Sequence, residues 1–328
     1  MEIGEKNMIF IGHAGCYSGL PNSEEAFINA VTKHHYQALE CDVKQTKDGV
    51  FVMSHNDDFN GHMLANETYQ ELKDVVLTKE RGGILYSTKL CTLERYLDIC
   101  KEYNVIPVIE LKASKGILNK DTSRMQALMD VIEKKEMLRK VIFLGSQYVC
   151  LNWTRENGYD YIPCQYLVNS CDNIVYMNRC KECHFDISIN IDQTYNNNYE
   201  LVKRYQDEGI KVSTFTFSQY SSVEELQKWI NYGVDFVTVD VIKPWEVKEY
   251  KKDENEENKK AIKVTFVGKN NQILKVSYAK YNDMAIAPFA PVVADCEFIG
   301  WDRDYHNVKE EMVIKAQYKK IDKVEESK

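Results

Sequence analysis

The sequence predicts an α/β fold, a (β/α)8 TIM barrel with a small β-rich domain after it. Three observations carry that prediction. Short apolar, β-prone runs alternate with amphipathic helical patterns from residue 8 to about 244. Eight such units in roughly 240 residues match the size of the barrel. Beyond a polar stretch at 251–260 the apolar period changes to two. An open doubly wound sheet is the alternative for the first part. It usually carries a glycine-rich phosphate loop after its first strand, and none is present here.

In chain order, strands are expected at 8–13, 37–43, 105–111, 140–145, 160–165, 185–190, 210–216 and 235–239. The runs 105–109 and 234–239 are short and largely apolar, as buried parallel strands should be. Helical patterns lie between them. The segment 23–31 opens on a serine suited to cap a helix. The segments 92–100 and 222–230 place apolar residues at three- and four-residue spacing, and Gly233 supplies a stop. A long insertion at about 48–91 follows the second strand, with an extra strand before His55 and a helix near 67–75. The barrel is expected to span 1–248, a polar linker 249–260 and the β domain 261–328. That domain opens on a hairpin turning at Lys269-Asn270-Asn271-Gln272 and ends on a strand at 313–318.

Composition narrows the function. The net charge of -8 argues against a nucleic-acid partner, which needs a wide basic face. No apolar run approaches the ~20 residues of a membrane span. The first residues lack the charged-then-apolar pattern of a signal peptide, so a cytoplasmic location is expected. The ten cysteines have no framework spacing and read as free thiols; the lone pair Cys180 and Cys183 is a weak zinc signal.

Chemistry concentrates at predicted strand ends. In Leu39-Glu40-Cys41-Asp42, strand alternation puts Glu40 and Asp42 on one face, and in Ile109-Glu110-Leu111-Lys112 it does the same for Glu110 and Lys112. His13 closes an apolar run after the first strand, and His55 closes another. Barrel active sites lie at the C-terminal ends of strands. Three carboxylates and a lysine aimed at one place suit a hard divalent cation and an anionic ligand. Acid–base groups beside them suggest phosphodiester cleavage. Gln147 and Gln165 are also read as strand ends that could donate to a substrate or serve structure.

These residues fall in an ordered run of motifs. The chain reads His13-Ala14-Gly15, then Pro21-Asn22-Ser23 with Ala26-Phe27, then Glu40-Cys41-Asp42-Val43 with Thr46-Lys47-Asp48-Gly49, then Ser54-His55-Asn56. Ile109-Glu110-Leu111-Lys112 and the last strand, ending Val237-Thr238-Val239-Asp240, follow. From about 8 to 244 it resembles the glycerophosphodiester phosphodiesterase family of metal-dependent barrels. The resemblance implies that Glu40, Asp42 and Glu110 hold one divalent cation, Mg²⁺ or Ca²⁺, with Mn²⁺ also suited. It implies that His13 and His55 are the general base and acid, and that Lys112 contacts phosphate. The expected reaction is hydrolysis of a glycerophosphodiester, small or lipid-derived, to glycerol 3-phosphate and an alcohol. A lyase forming a cyclic phosphate and a catalytically weakened phosphodiester-binding protein are the alternatives.

Three departures bear on the site. The family's arginine after the first histidine is Ala14, and Lys44 either replaces its charge on the substrate or is a solvated loop lysine. Asn56 stands where an aspartate is usual, followed by Asp57 and Asp58. Phe215 takes the place of a barrel tryptophan, as an apolar wall for the substrate or as core. The C-terminal segment, through Gly300-Trp301, resembles an internalin-type B-repeat, which implies a small β-grasp-like module that packs on the barrel or forms a dimer contact.

Overall fold

Eight parallel strands close on themselves in the computed structural model, which describes residues 8–112, 122–169, 174–191, 198–248, 262–279, 284–288 and 292–320. They are Ile9–Gly12, Ala38–Gln45, Ile106–Leu111, Ile142–Gly145, Cys164–Val168, Asp186–Asn190, Val212–Phe217 and Phe236–Val239. The first pairs with the last, Ile9 opposite Phe236, and also with the second, Ile11 opposite Ala38. The sheet is thus a closed barrel, as the alternation of elements predicts. A ninth strand, Phe51–Met53, runs antiparallel against the end of the second, with Val43 opposite Met53.

The strand sequences explain the layering. Every residue of Ala38–Gln45 is buried, because one face meets helices and the other the barrel interior. Ile11, Ala38, Val108, Ile142, Leu144 and Phe236 form an apolar interior cluster. Toward the C-terminal ends the inward positions turn polar, which leaves a solvent-facing mouth above an apolar plug.

Helices begin where their caps predict. Ser23 accepts from the Ala26 N–H, Thr92 from Arg95 and Ser222 from Glu225. Gly233, at φ +81°, ends the last of these helices. One helix reaches into the strand ladder. The Tyr96 hydroxyl, fully buried, donates to the Leu39 carbonyl (2.6 Å) and accepts from the Val108 N–H (3.1 Å). It bridges the second and third strands immediately below Glu40.

Two expectations need correction. The fifth strand is Cys164–Val168 rather than 160–165. Tyr161 and Ile162 carry the apolar signal but precede Pro163, and the β-prone run Tyr166-Leu167-Val168 sets the strand. Gln165 therefore sits near the strand's start, 1% exposed inside the barrel, and not at the mouth. The insertion holds more than one strand and one helix. Its helix is only Tyr69–Leu72, with Thr68 and Glu71 forming a capping box. Two hairpins flank it, Asp58–Phe59 with His62–Met63 and Leu77–Arg81 with Ile84–Thr88. The second turns through Gly82 and Gly83, both at positive φ, as a two-residue hairpin requires. Val52, Phe59, Leu64, Leu72 and Leu90 give the insertion its own small core.

A second compact unit contains a four-stranded sheet of Ile262–Val267, Ile273–Ala279, Cys296–Trp301 and Met312–Lys320. Its first two strands form the predicted hairpin, and the first and last are parallel. Val264, Phe266, Ala279, Val308 and Ile314 are its core, with the Trp301 ring 4.9 Å from Phe266. By its contacts the helix Asn198–Gln206, which lies between the sixth and seventh barrel strands in the chain, belongs to this unit. The predicted linker, 249–260, lies outside the described residues. No described helix is long and apolar enough to cross a membrane.

The bridging role of Tyr96 sets a stability prediction. Tyr96→Phe removes a buried hydroxyl's bonds to both strands while the ladder still pairs them, so unfolding free energy should fall by about 1 kcal/mol. Urea denaturation measures it; an unchanged midpoint contradicts the bridge.

Candidate active site

The first strand ends at Gly12, and the chain turns sharply through Ala14 (φ +45°) and Gly15 (φ +94°). A Cβ on Gly15 would lie 2.7 Å from the Ala26 backbone, so only glycine lets this loop close on the first helix. The turn has two results. It presents His13, whose Nδ1 lies 2.9 Å from Asp240 Oδ1 at the end of the last strand. It also aims the Ala14 backbone N–H at Glu40 Oε2, 2.7 Å away. Position 14 thus meets the site through its amide, where an arginine would have offered a side chain.

Glu40, Asp42 and Glu110 bring ligand oxygens within 4.8 Å of one another. Glu40 and Asp42 are each 2% exposed. Asn22, in the loop after the first strand, grips Asp42 twice: its Nδ2 donates to Oδ2 (2.7 Å), and its Oδ1 accepts from the Asp42 N–H (2.9 Å). Lys112 Nζ stands 3.2 Å from Asp42 and 2.9 Å from Glu110. His13, Glu40, Asp42, Glu110 and Lys112, found at predicted strand ends, thus lie together at one end of the barrel.

The electrostatics of this cluster are unbalanced. Burial and then the Asp42 charge push the Glu40 carboxyl up to about 8. Burial and Asp42 likewise raise Glu110. Burial alone would lower His13, but the Asp240 hydrogen bond and the charges of Glu40, Asp240 and Asp42 outweigh it and raise the imidazole to about 9. Lys112 is raised as well: the Asp42 and Glu110 charges overcome its desolvation. Three carboxylates against one lysine leave excess negative charge, and Glu40 Oε1 is buried without a partner among the described residues. An all-oxygen donor set of this kind fits a hard divalent cation.

His55 lies exposed on the segment after the strand Phe51–Met53, its Nδ1 3.1 Å from Asn56 Oδ1. The Ser54 N–H donates to the Asp42 backbone carbonyl (2.9 Å), which ties this segment to the second strand beside the site. Lys44 has a different setting from either expected one. Its side chain is 4% exposed, and Nζ lies 2.5 Å from Asp57 Oδ1. It is neither solvated nor free to take the arginine's place; it clamps the His55 segment to the second strand. Gln147 is the half-buried residue before the helix Tyr148–Glu156, and Phe215 is half-buried near the end of its strand. Gln165 is removed from the mouth by the corrected register, and both of its amide atoms lack partners among the described residues. Two site residues escaped the sequence reading as functional groups. Asp240 follows Thr238 by two and so shares its inward face, the signal that found Glu110. Asn22 lies on a loop and left no periodic signal.

The unbalanced carboxylates predict how stability responds to pH and metal. The folded protein holds Glu40 above 4.5, at about 8, and His13 above 6.5, at about 9. Both groups bind protons more tightly folded than unfolded, so each contribution is present at low pH and lost as pH rises through those values. With chelator, the thermal midpoint should fall between about pH 5 and 9, and Mg²⁺ or Ca²⁺ at pH 8 should raise it. A midpoint that climbs over this range, or ignores both ions, contradicts the account.

Among curated proteins none matches the chain. The fold is similar to a glycerophosphodiester phosphodiesterase from Parabacteroides distasonis (TM-score 0.59, 22% identity, covering 72% of this chain and 94% of that one). It is similar to an Oleispira antarctica phosphodiesterase solved with sn-glycerol-3-phosphate (TM-score 0.58, 18% identity, 71% and 93%). A Thermotoga maritima glycerophosphodiester phosphodiesterase is also similar (TM-score 0.55, 21% identity, 72% and 96%). Residues 13–244, which hold the two histidines, the three carboxylates and Asp240, match the model of one family of phosphoric diester hydrolases, and the chain belongs to that Glycerophosphoryl diester phosphodiesterase family.

Proposed function

We propose that this enzyme hydrolyses a glycerophosphodiester to glycerol 3-phosphate and an alcohol, with His13 and His55 as its acid–base pair. The single observation that carries the reading is the His13–Asp240 contact beside the three-carboxylate cluster. Glu40, Asp42 and Glu110 would hold a Mg²⁺ or Ca²⁺ ion, which when bound neutralises charge on the phosphate oxygens. Asp240 occupies His13 Nδ1 and so fixes the ring's orientation, leaving Nε2 for proton transfer. One histidine takes a proton from the attacking water as its oxygen bonds to phosphorus, and the other gives a proton to the alkoxide that leaves. Lys112 carries positive charge into the phosphate site as a point charge. Phe215 and Gln147 are proposed as an apolar wall and a hydrogen-bond donor for the alcohol portion.

A reducing compartment is supported by eight described cysteines that are free thiols, seven of them buried. The C-terminal sheet is proposed as a B-repeat-like module, supported by the packing of Trp301 on Phe266.

The direct test is release of glycerol 3-phosphate from a panel of glycerophosphodiesters, with Mg²⁺ or Ca²⁺ and with chelator. His13→Ala should lower kcat by about 10²- to 10⁴-fold. Asp240→Asn should retain more activity and move the His13 limb of the pH profile to lower pH. No release from any panel member with metal present would overturn the reading, and a cyclic phosphate as the end product would replace hydrolysis by the lyase route. The clamp on the His55 segment has its own signature. Lys44→Met should lower kcat by roughly tenfold to a hundredfold with KM little changed, and Lys44→Arg should restore most of it. A raised KM at constant kcat would return Lys44 to the phosphate.

A further inference from the structure

The insertion ends in a hairpin whose tip is apolar, exposed and fastened to the lip of the active site. Arg81, at the tip, donates from Nη1 to the carbonyls of Cys16 (3.1 Å) and Gly19 (2.7 Å). Its guanidinium lies 4.1 Å over the Tyr17 ring, and a Cβ on Gly82 would come within 3.2 Å of that ring. Cys16, Tyr17 and Gly19 belong to the loop that presents His13. The tip is therefore held beside the catalytic mouth by a buried-backbone anchor and a stacked ring. Yet the residues that follow the turn touch little: Ile84 is 55% exposed and Leu85 70%.

The register separates two kinds of occupant. Ile84 pairs with Arg81 and shares its face, while Leu85 pairs with Glu80 on the opposite face. Two apolar side chains on opposite faces of one ribbon cannot both line a single groove or cover a single flat partner. They suit a wedge that enters an apolar phase from its surface, and Gly83, where an added Cβ would meet nothing within 4 Å, keeps the free side of the turn narrow. Other loops at the same end of the barrel agree. Tyr220, after the seventh strand, is 88% exposed, and Val149, opening the helix after the fourth, is 43% exposed. A tyrosine is at home where an apolar phase meets water.

We propose that the Arg81-anchored hairpin docks the catalytic mouth onto a lipid surface, inserting Ile84 and Leu85, so that the substrate is a glycerophosphodiester presented by that surface. The choice of lipid rests on the phosphodiesterase reading, because a lipid surface is the apolar phase that displays such diesters. Docking itself is a property of the tip.

The experiment is sedimentation of the full chain with sucrose-loaded phosphatidylcholine/phosphatidylglycerol vesicles in chelator, so that turnover plays no part. The parent chain should sediment, and Ile84→Ser/Leu85→Ser should bind at least about tenfold more weakly, since each side chain contributes a sizeable apolar area. The same variant should keep its kcat/KM for choline release from water-soluble glycerophosphocholine and lose choline release from lysophosphatidylcholine held in vesicles, where the other product is the acylated glycerol 3-phosphate. Leu85→Trp should show blue-shifted fluorescence on vesicle addition. A parent chain that stays in the supernatant, or a double variant that sediments equally, overturns the proposal. Vesicle binding that depends on the tip, with no turnover of either substrate, supports docking and sinks the hydrolase reading instead.

Discussion

Three carboxylates gathered at the end of a closed barrel repel one another, and much of the surrounding chain is arranged to tolerate that repulsion. The Ala14 amide donates to Glu40, the Asn22 side chain locks both the carboxylate and the N–H of Asp42, and Lys112 stands between Asp42 and Glu110. Each device holds an anion in place without neutralising the cluster as a whole. A closed sheet is well suited to this task, because its strands cannot splay apart to relieve the charge. The apolar cluster beneath, from Ile11 to Phe236, keeps water out from below and makes the imbalance stronger.

The same logic extends outward through loops. The second strand supplies Glu40 and Asp42, and then continues to Lys44, whose buried ammonium secures Asp57 on the segment carrying His55. The last strand supplies Asp240 to the histidine after the first strand, across the seam where the barrel closes. The insertion in turn fastens Arg81 onto the His13 loop. His13 is thus positioned by a group at the far end of the barrel sequence and His55 by a lysine on the preceding barrel strand, and a rigid strand stands at the root of each arrangement.

Much of this was legible in the sequence because strands alternate. Period two places Glu40 with Asp42 and Glu110 with Lys112 whatever the rest of the fold does, and the same rule reaches Asp240 once Thr238 is placed inside. It fails where register is ambiguous. Pro163 splits an apolar run, and choosing the wrong half moved Gln165 from the barrel's interior to its mouth. Contacts made by loops were not legible at all: Asn22 reaches Asp42 only because Ala14 and Gly15 bend the chain back, and Lys44 meets Asp57 only through the path of an insertion with its own core. The Gly82-Gly83 turn did carry a local hairpin signal. The strands flanking it have weak alternation, being exposed on most positions, so periodicity passed over them.

The grouping of the helix Asn198–Gln206 with the C-terminal sheet has a consequence for how this chain can be divided. That helix packs on the strand Ile273–Ala279, with Lys275 near Glu200, yet its sequence lies between two barrel strands. No single cut separates the two units with their elements intact. A chain ended at the last barrel strand would keep the helix and lose the sheet it packs on; a C-terminal fragment expressed by itself would lack a helix. The compact unit that holds the sheet is therefore not one continuous piece of the chain.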